Sequence, residues 1–366
     1  MRTEPTLARL RRLAVHGSLG RPMPIARAIA TLGFVQADPI RAPARAQDLI
    51  LRHRVPGYRA GDLERRYPRL GLHEDFLYAY GIMPEASWRL LHPRHDAASV
   101  DGRHVPTGLA AEVLAHVRAH GPTHPADLAA AFGKDRALNN WGGFSKATTR
   151  ALHSLHYHGA LRVARRQEGI RVYEAVAPHG DVLAPAERLR RLVALVTRIL
   201  APLPEKSLAG TFALLGRGAP GLGRWRDALQ DLLTAGELEC GQMDGVRYIW
   251  PPSLAMQEAT RPVRQVRFLA PFDPIVWDRR RFEHLWDWPY RFEAYTKSPK
   301  RQFGYYAMPL LWGDQVIGWA NVTRPDGRVD VETGFVAPRP RDRAFRRRFD
   351  AEVARMAAFL AKDAAL

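Results

Sequence analysis

The chain has 366 residues, 46% of them hydrophobic, with 55 Lys and Arg against 37 Asp and Glu for a formal charge of +18. Such a length allows two to four domains at about 100–200 residues each, and such an apolar content excludes wholesale disorder. The excess of Arg favours phosphate-bearing partners, nucleic acid above all, while the single cysteine, Cys240, excludes a disulfide framework or a cysteine-built zinc site.

In chain order, Leu7–Val15 and Pro24–Leu32 are predicted helices, and Phe34–Asp38 is a short strand. Ala42–Arg54 follows as a third helix, and Leu63–Leu91 as further helix interrupted by Gly81 and Pro84. Along the strand, Gln36 and Asp38 point to one side. Pro39 holds Asp38 extended and discourages further pairing. A carboxamide and a carboxylate side by side at a strand end can hold and deprotonate a water. The bland alternative is turn chemistry, with Asp38 bonding nearby backbone.

After a polar linker, Pro93–Pro106, helices are expected at Gly108–His120, from Thr123, and at Ser145–His158 beyond the loop Asn139–Gly143. A strand pair at Ala160–Ala164 and Ile170–Ala175 closes this segment. The same order recurs as helices Pro185–Leu200, Pro204–Leu214 and Gly223–Ala235, with a hairpin Leu238–Gln242/Val246–Trp250 around Asp244-Gly245. Ala151-Leu152-x-x-Leu155-x-x-x-Gly159-x-Leu161 aligns without a gap on Ala228-Leu229-x-x-Leu232-x-x-x-Gly236-x-Leu238. Each reads as a glycine-capped helix running into a strand. Helix-helix-helix-hairpin is the winged-helix order, in which the third helix enters a DNA groove. His153 and His156 lie on that third helix, where they can face DNA or solvent.

Beyond Pro251-Pro252, strands are expected at Val266–Leu269, Tyr290–Tyr295, Tyr305–Trp312, Gln315–Val322 and Arg328–Phe335. They form a small antiparallel sheet or barrel, followed by a basic amphipathic helix, Arg341–Lys362. The expected class is therefore α+β: tandem winged-helix units, a small β-barrel and a C-terminal helix. The segments are 1–92, a more divergent winged-helix-like copy carrying Gln36 and Asp38; 106–178 and 183–252, the second and third winged helices; 262–338, the barrel; and 339–366, the C-terminal helix. Met1–Pro5 lacks the apolar core of a signal peptide, and no stretch reaches the roughly 18 apolar residues of a membrane span. A cytoplasmic, nucleoid-associated protein without membrane contact is expected. The 14 histidines have no metal-site spacing, and no phosphate-loop or nucleophile-elbow pattern occurs.

Two C-terminal stretches combine charge with aromatics: Pro271-Phe272-Asp273-Pro274-x-x-Trp277-Asp278-Arg279-x-Arg281 and Pro299-Lys300-Arg301-x-Phe303-Gly304-Tyr305-Tyr306. Cations beside aromatic rings suit a phosphate backbone and stacked bases. The plainer alternative pairs Asp273 and Asp278 with nearby Arg and leaves the rings in the core.

Together with Gln36-Ala37-Asp38 after Gly33-Phe34-Val35, and with Arg41–Arg54, these motifs resemble the AlkZ/YcaQ family of bacterial winged-helix DNA glycosylases over nearly the whole chain. The resemblance implies a monofunctional DNA glycosylase, without cofactor or metal, that excises N7-alkylated guanine and unhooks interstrand crosslinks. It assigns Gln36 and Asp38 as the catalytic pair of the Gln-x-Asp branch. Arg41, Arg45, Arg279, Arg281, Lys300 and Arg301 are the expected DNA contacts, and the expected partner of a monomer is duplex DNA carrying alkylated or crosslinked guanine. Members often carry Trp-x-His before an apolar-Pro step, and here Tyr80 stands where that His is expected. The competing reading is a non-enzymatic winged-helix regulator, which ordinarily binds a palindrome as a dimer.

Overall fold

A computed structural model describes residues 4–94, 99–100, 103–133, 136–138, 144–177, 182–255 and 264–361. The expected loop 139–143, much of the expected linker 93–106 and Lys362 lie outside the described residues. The chain divides into two compact units. The first comprises Met1–Leu63, Val193–Thr211 and Arg226–Leu366, and the second comprises Glu64–Leu192 and Phe212–Trp225.

In the first unit, the helix Leu7–Leu19 begins at Thr6, whose hydroxyl accepts the N–H of Arg9, and buries Leu10, Leu13, Ala14, Val15 and Leu19. These side chains join a cluster with Tyr248, Trp250, Leu269, Ile275, Phe282, Trp288 and Leu311, so the first helix is packed by residues from the last third of the chain. The hairpin Glu239–Met243/Val246–Trp250 takes on a third strand, Leu203–Pro204, where a helix was expected to begin. That helix instead starts at Glu205.

Four antiparallel strands form a second sheet in sequence order: Val266–Phe268, Met308–Trp312, Gln315–Thr323 and Asp330–Phe335. Its first and last strands do not pair with each other, so this is an open sheet and the expected barrel is not formed. One expected strand of the barrel, Tyr290–Tyr295, is irregular chain: Tyr290 packs on Phe282 and Trp288, while Phe292 packs on Phe272 and Tyr295, so its rings serve a cluster rather than a sheet. The C-terminal helix, Arg343–Leu360, buries Phe345, Met356 and Phe359 as its pattern implies. It also buries a carboxylate. Glu352, fully enclosed, accepts from Arg52, from the N–H of Phe268 at 3.1 Å and from Arg355 at 2.7 Å.

A second enclosed carboxylate organises the other side of this unit. Asp273 is 0% exposed and receives two guanidinium nitrogens of Arg54, at 2.8 and 3.0 Å. Arg54 also donates to the carbonyls of Ile50 at 2.7 Å and Ser18 at 2.9 Å, and to the Ser18 hydroxyl at 2.6 Å. Three distant stretches of chain therefore converge on one planar cation.

In the second unit, the expected helix Leu63–Leu91 is largely a hairpin. Leu72–Phe76 pairs with Tyr80–Pro84, flanked by the short helices Asp62–Arg66 and Glu85–Trp88. The strand conformation sends adjacent acids to opposite faces. Glu74 meets Arg166 at 2.5 and 2.9 Å and the Tyr80 hydroxyl at 2.9 Å. Asp75 meets Arg94 at 2.8 Å, His92 at 2.7 Å and the Trp88 indole at 3.0 Å. A helix cannot serve both sets of partners. The helices Leu109–His120, Pro125–Phe132 and Ala147–Tyr157 follow, with the hairpin Leu161–Gln167/Ile170–Ala175. A strand pair, Arg136–Leu138 with Phe144–Lys146, was not expected. His156 is buried and its ring bonds the Glu74 carbonyl at 2.8 Å, so it does not face solvent or DNA.

The gap-free repeat is realised in detail. Gly159 and Gly236 adopt φ of 77° and 71°. Ala160 N–H reaches back to Leu155 O and Glu237 N–H to Leu232 O, both at 2.9 Å.

Burial alone raises the Asp75 pKa, but Arg94 and His92 outweigh it and hold the carboxyl well below the usual range. Asp75 therefore contributes stability that is full above its unfolded pKa of about 4 and is lost as the pH falls below that value. Asp75→Asn should cost about 3–5 kcal/mol at pH 7, since it strands the buried Arg94. Thermal melts should show the difference from the parent narrowing toward pH 3.

Candidate active site

The segment that carries Gln36 and Asp38 is set by what precedes it. The helix Ile25–Leu32 ends at Gly33, whose φ of 79° and N–H bond to Ile29 O at 2.7 Å reverse the chain. A side chain there would lie 2.7 Å from both Arg198 and Leu195. Phe34 and Val35 are then buried, which delivers Gln36, Ala37 and Asp38 to a half-exposed position. The strand itself is only Val35–Gln36, and Asp38 lies in the turn beyond it. The expected helix Ala42–Arg54 shortens to Ala46–Leu51: Pro43 disfavours helical backbone at Ala42, and Arg45, in extended conformation, is the N-cap.

Asp38 makes one side-chain bond: its Oδ1 accepts the N–H of Ile40 at 2.8 Å. Its own N–H donates to Gln47 Oε1 at 3.3 Å. The turn chemistry weighed from sequence is present, yet it uses only one carboxylate oxygen. No donor among the described residues bonds Oδ2. Partial burial raises the Asp38 pKa, and the Ile40 N–H offsets this in part. The group is thus a stronger base than a solvated aspartate.

Gln36 is held by a residue 241 positions away. The Trp277 indole N–H donates to Gln36 Oε1 at 2.8 Å. Trp277 ends the short helix Pro274–Trp277, capped by Asp273, which accepts the N–H of Ile275 at 3.1 Å while it binds Arg54. Asp278 caps the next helix, Arg279–Trp286, accepting from the N–H groups of Arg280 and Arg281 at 3.1 and 3.2 Å. The plain alternative thus holds for Asp273, paired with Arg54, while Asp278 serves as a cap.

The charge of Asp38 acts on two tyrosines. Tyr306 is 4% exposed, and its hydroxyl has no hydrogen-bond partner among the described residues. Burial and then Asp38 raise its pKa well above the ordinary value. Tyr295 is 79% exposed, and its pKa is raised by partial burial and by Asp38. Phe292 lies between them, with ring centroids 5.2 Å from Tyr306 and 6.0 Å from Tyr295. Phe292, Tyr295 and Tyr306 thus form an aromatic cluster that ends in an exposed ring, and the Asp38 charge acts on its two tyrosines.

The loop at the edge of that cluster is pinned by Glu293, which sequence reasoning missed. Its carboxylate accepts three successive N–H groups, from Gln302 at 3.0 Å, Phe303 at 2.8 Å and Gly304 at 3.2 Å. Gly304 has φ of 114°, and a side chain there would sit 2.5 Å from Asn321, which explains the Phe-Gly-Tyr-Tyr order. No local pattern marks Glu293, because its partners lie nine to eleven residues on.

The expected cations separate into two groups. Arg41 and Lys300 are exposed, Arg45 is half-exposed at the start of the helix Ala46–Leu51, and Arg301 stacks over Tyr305 at 5.0 Å. Arg281 is 1% exposed and donates to the carbonyls of Leu200, Pro274 and Ile275. Arg279 donates to Val276 O at 2.8 Å and Pro271 O at 2.9 Å and lies 4.7 Å from the Tyr290 ring. These two guanidinium groups brace the corner that holds Trp277. At 1% exposure Arg281 has no surface to offer DNA, against the expectation for it, whereas Arg279 is half-exposed. Among the described residues no group of three or more His, Cys, Asp or Glu is arranged to hold a metal ion.

Residues 29–359 match a protein family described as DNA glycosylase AlkZ-like. The fold is similar to that of the Streptomyces sahachiroi DNA glycosylase AlkZ, with a TM-score of 0.64 and 14% sequence identity over 98% of each chain. With the family matched across all but the ends of the sequence, the chain belongs to the AlkZ-like DNA glycosylases.

Proposed function

We propose that the protein hydrolyses the N-glycosidic bond of N7-alkylated guanine in duplex DNA, unhooking interstrand crosslinks among its substrates, with Gln36 positioning a water and Asp38 activating it. The observation that carries this reading is Asp38 itself. It is a half-buried carboxylate of raised basicity, with one oxygen fixed by Ile40 and the other without a donor among the described residues.

Alkylation at N7 gives the purine a positive charge and weakens its bond to deoxyribose. As the bond between C1′ and N9 breaks, its electrons pass into the purine and neutralise that charge. The sugar becomes cation-like, and the water oxygen bonds to C1′ while its proton passes to Asp38. Neutral alkylguanine leaves and an abasic site remains. The carboxylate thus acts twice, opposing the charge that develops on the sugar and accepting the proton. No amine attacks the sugar, so the enzyme is monofunctional. We read 106–178 and 183–252 as winged helices, and Arg41, Arg45, Lys300 and Arg301 as phosphate contacts that need no sequence readout. A crosslinked guanine cannot be flipped freely into a closed pocket, which a half-exposed turn residue does not require. A monomer suffices in this arrangement.

Duplex containing N7-methylguanine, incubated with the protein and then treated with hot alkali, should be cleaved at the modified base. Asp38→Asn should lower the single-turnover rate about 100- to 10,000-fold with DNA affinity retained. Because the ionised form is needed and burial raises the pKa, the rate should fall with decreasing pH around a midpoint above the usual carboxylate value. A profile that is flat through the carboxylate range excludes Asp38 as the base. Borohydride should trap no protein–DNA adduct. Affinity should drop steeply with salt, and replacing Lys300 or Arg301 with Ala should lower the slope by about one each.

A further inference from the structure

We propose that Trp277 is a positioning residue that fixes which end of the Gln36 carboxamide faces the reaction. An indole N–H can only donate, so the atom of Gln36 that lies 2.8 Å from Trp277 Nε1 must be the carbonyl oxygen. The usual ambiguity between the two ends of an amide is thereby removed by chemistry rather than by choice. The NH2 end is then the free end, and no acceptor among the described residues bonds it.

This assigns complementary roles. Asp38 offers an acceptor through Oδ2, and Gln36 offers donors. A water between them gives a proton to Asp38 and receives an N–H from Gln36 on one lone pair. Its other lone pair is left to approach C1′. Were the amide reversed, Gln36 and Asp38 would both accept. The water's two protons would then be taken from opposite sides and neither lone pair would be directed. Trp277 does not touch the water in this scheme; it acts through Gln36.

The position of Trp277 is itself over-determined. Asp273 caps the helix that it ends, and Arg54 holds Asp273 with two nitrogens. Arg279 donates to the carbonyls on either side of that turn, Pro271 and Val276. A donor that must select one rotamer of a flexible amide needs such a mounting.

The inference rests on the proposed reaction, and two experiments separate their failures. In the first, single-turnover excision of N7-methylguanine is compared for Trp277→Phe, for benzothienylalanine at 277 (sulfur in place of N–H), for Gln36→Ala and for Trp277→Phe combined with Gln36→Ala. Either change at 277 should lower the rate on the order of tenfold to a hundredfold with DNA affinity unchanged. The double variant should be no slower than Gln36→Ala alone. Gln36→Glu keeps an acceptor for Trp277 but loses the donor, and should be as slow as Gln36→Ala. Full rate in the benzothienylalanine protein, multiplied losses in the double variant, or full rate in Gln36→Glu overturns the proposal.

The second experiment needs no substrate. The Trp277 indole 1H–15N resonance, identified by its absence in Trp277→Phe, should move upfield in Gln36→Leu. An unmoved resonance overturns the proposal even if the enzyme excises N7-methylguanine. If the resonance moves and the wild type releases no alkylguanine, the Trp277–Gln36 bond stands and the proposed reaction fails.

Discussion

The paired contact between Arg54 and Asp273 is the constraint on which the site depends. A fully enclosed carboxylate is tolerable only with its cation in place, and this pair is bonded on both oxygens. The same Asp273 starts the turn that ends at Trp277, and Trp277 grips Gln36. The same Arg54 closes on the carbonyls of Ser18 and Ile50, which bracket the segment holding Gln36 and Asp38. The orientation of one surface amide is thus tied through two bonded steps to a buried ion pair. Rigidity reaches the reacting groups from the interior, and neither residue of the candidate pair has to supply it.

The surroundings of Asp38 divide labour in a way that suits a cationic lesion. Among the described residues its carboxylate accepts only the Ile40 N–H, its own N–H is taken by the Gln47 amide, and its charge acts on Tyr295 and Tyr306. Arg279, the cation that perturbs Tyr306, is committed to two carbonyls and a ring. A carboxylate with no guanidinium bonded to it keeps its charge available for a developing positive centre. Had the motif arginines turned toward Asp38, they would have lowered its basicity and competed with the sugar.

Much of this was legible in sequence where the signal is local. Gly159 and Gly236 close their helices identically because the same apolar spacing and the same glycine offset recur. Gly33, the buried pair Phe34-Val35 and Pro39 together present Gln36 and Asp38, as their order implies. The losses turn on contacts that only the folded chain reveals. Glu74 and Asp75 read as helix because nothing nearby reveals Arg166 and Arg94, which demand opposite faces. Tyr290–Tyr295 reads as strand by composition, yet its rings serve a cluster rather than a sheet. Arg279 and Arg281 look like surface cations by type, and only the folded corner shows carbonyls filling their forks. Trp277 and Gln36 were each conspicuous as part of a motif, while the bond between them, across 241 residues, was not.

Arg52 and Arg54 are separated by a single residue, and each is neutralised from afar, by Glu352 and by Asp273. The stretch that follows Gln36 and Asp38 therefore carries two buried cations whose counterions emerge from the ribosome more than two hundred residues later. Until then, enclosing either guanidinium is unfavourable, and this stretch has reason to stay open while the rest of the chain is made. Order in this stretch is in this way deferred until Asp273 and Glu352 have been made. A partial chain that already holds Gln36 and Asp38 still lacks the counterions that set their surroundings in order.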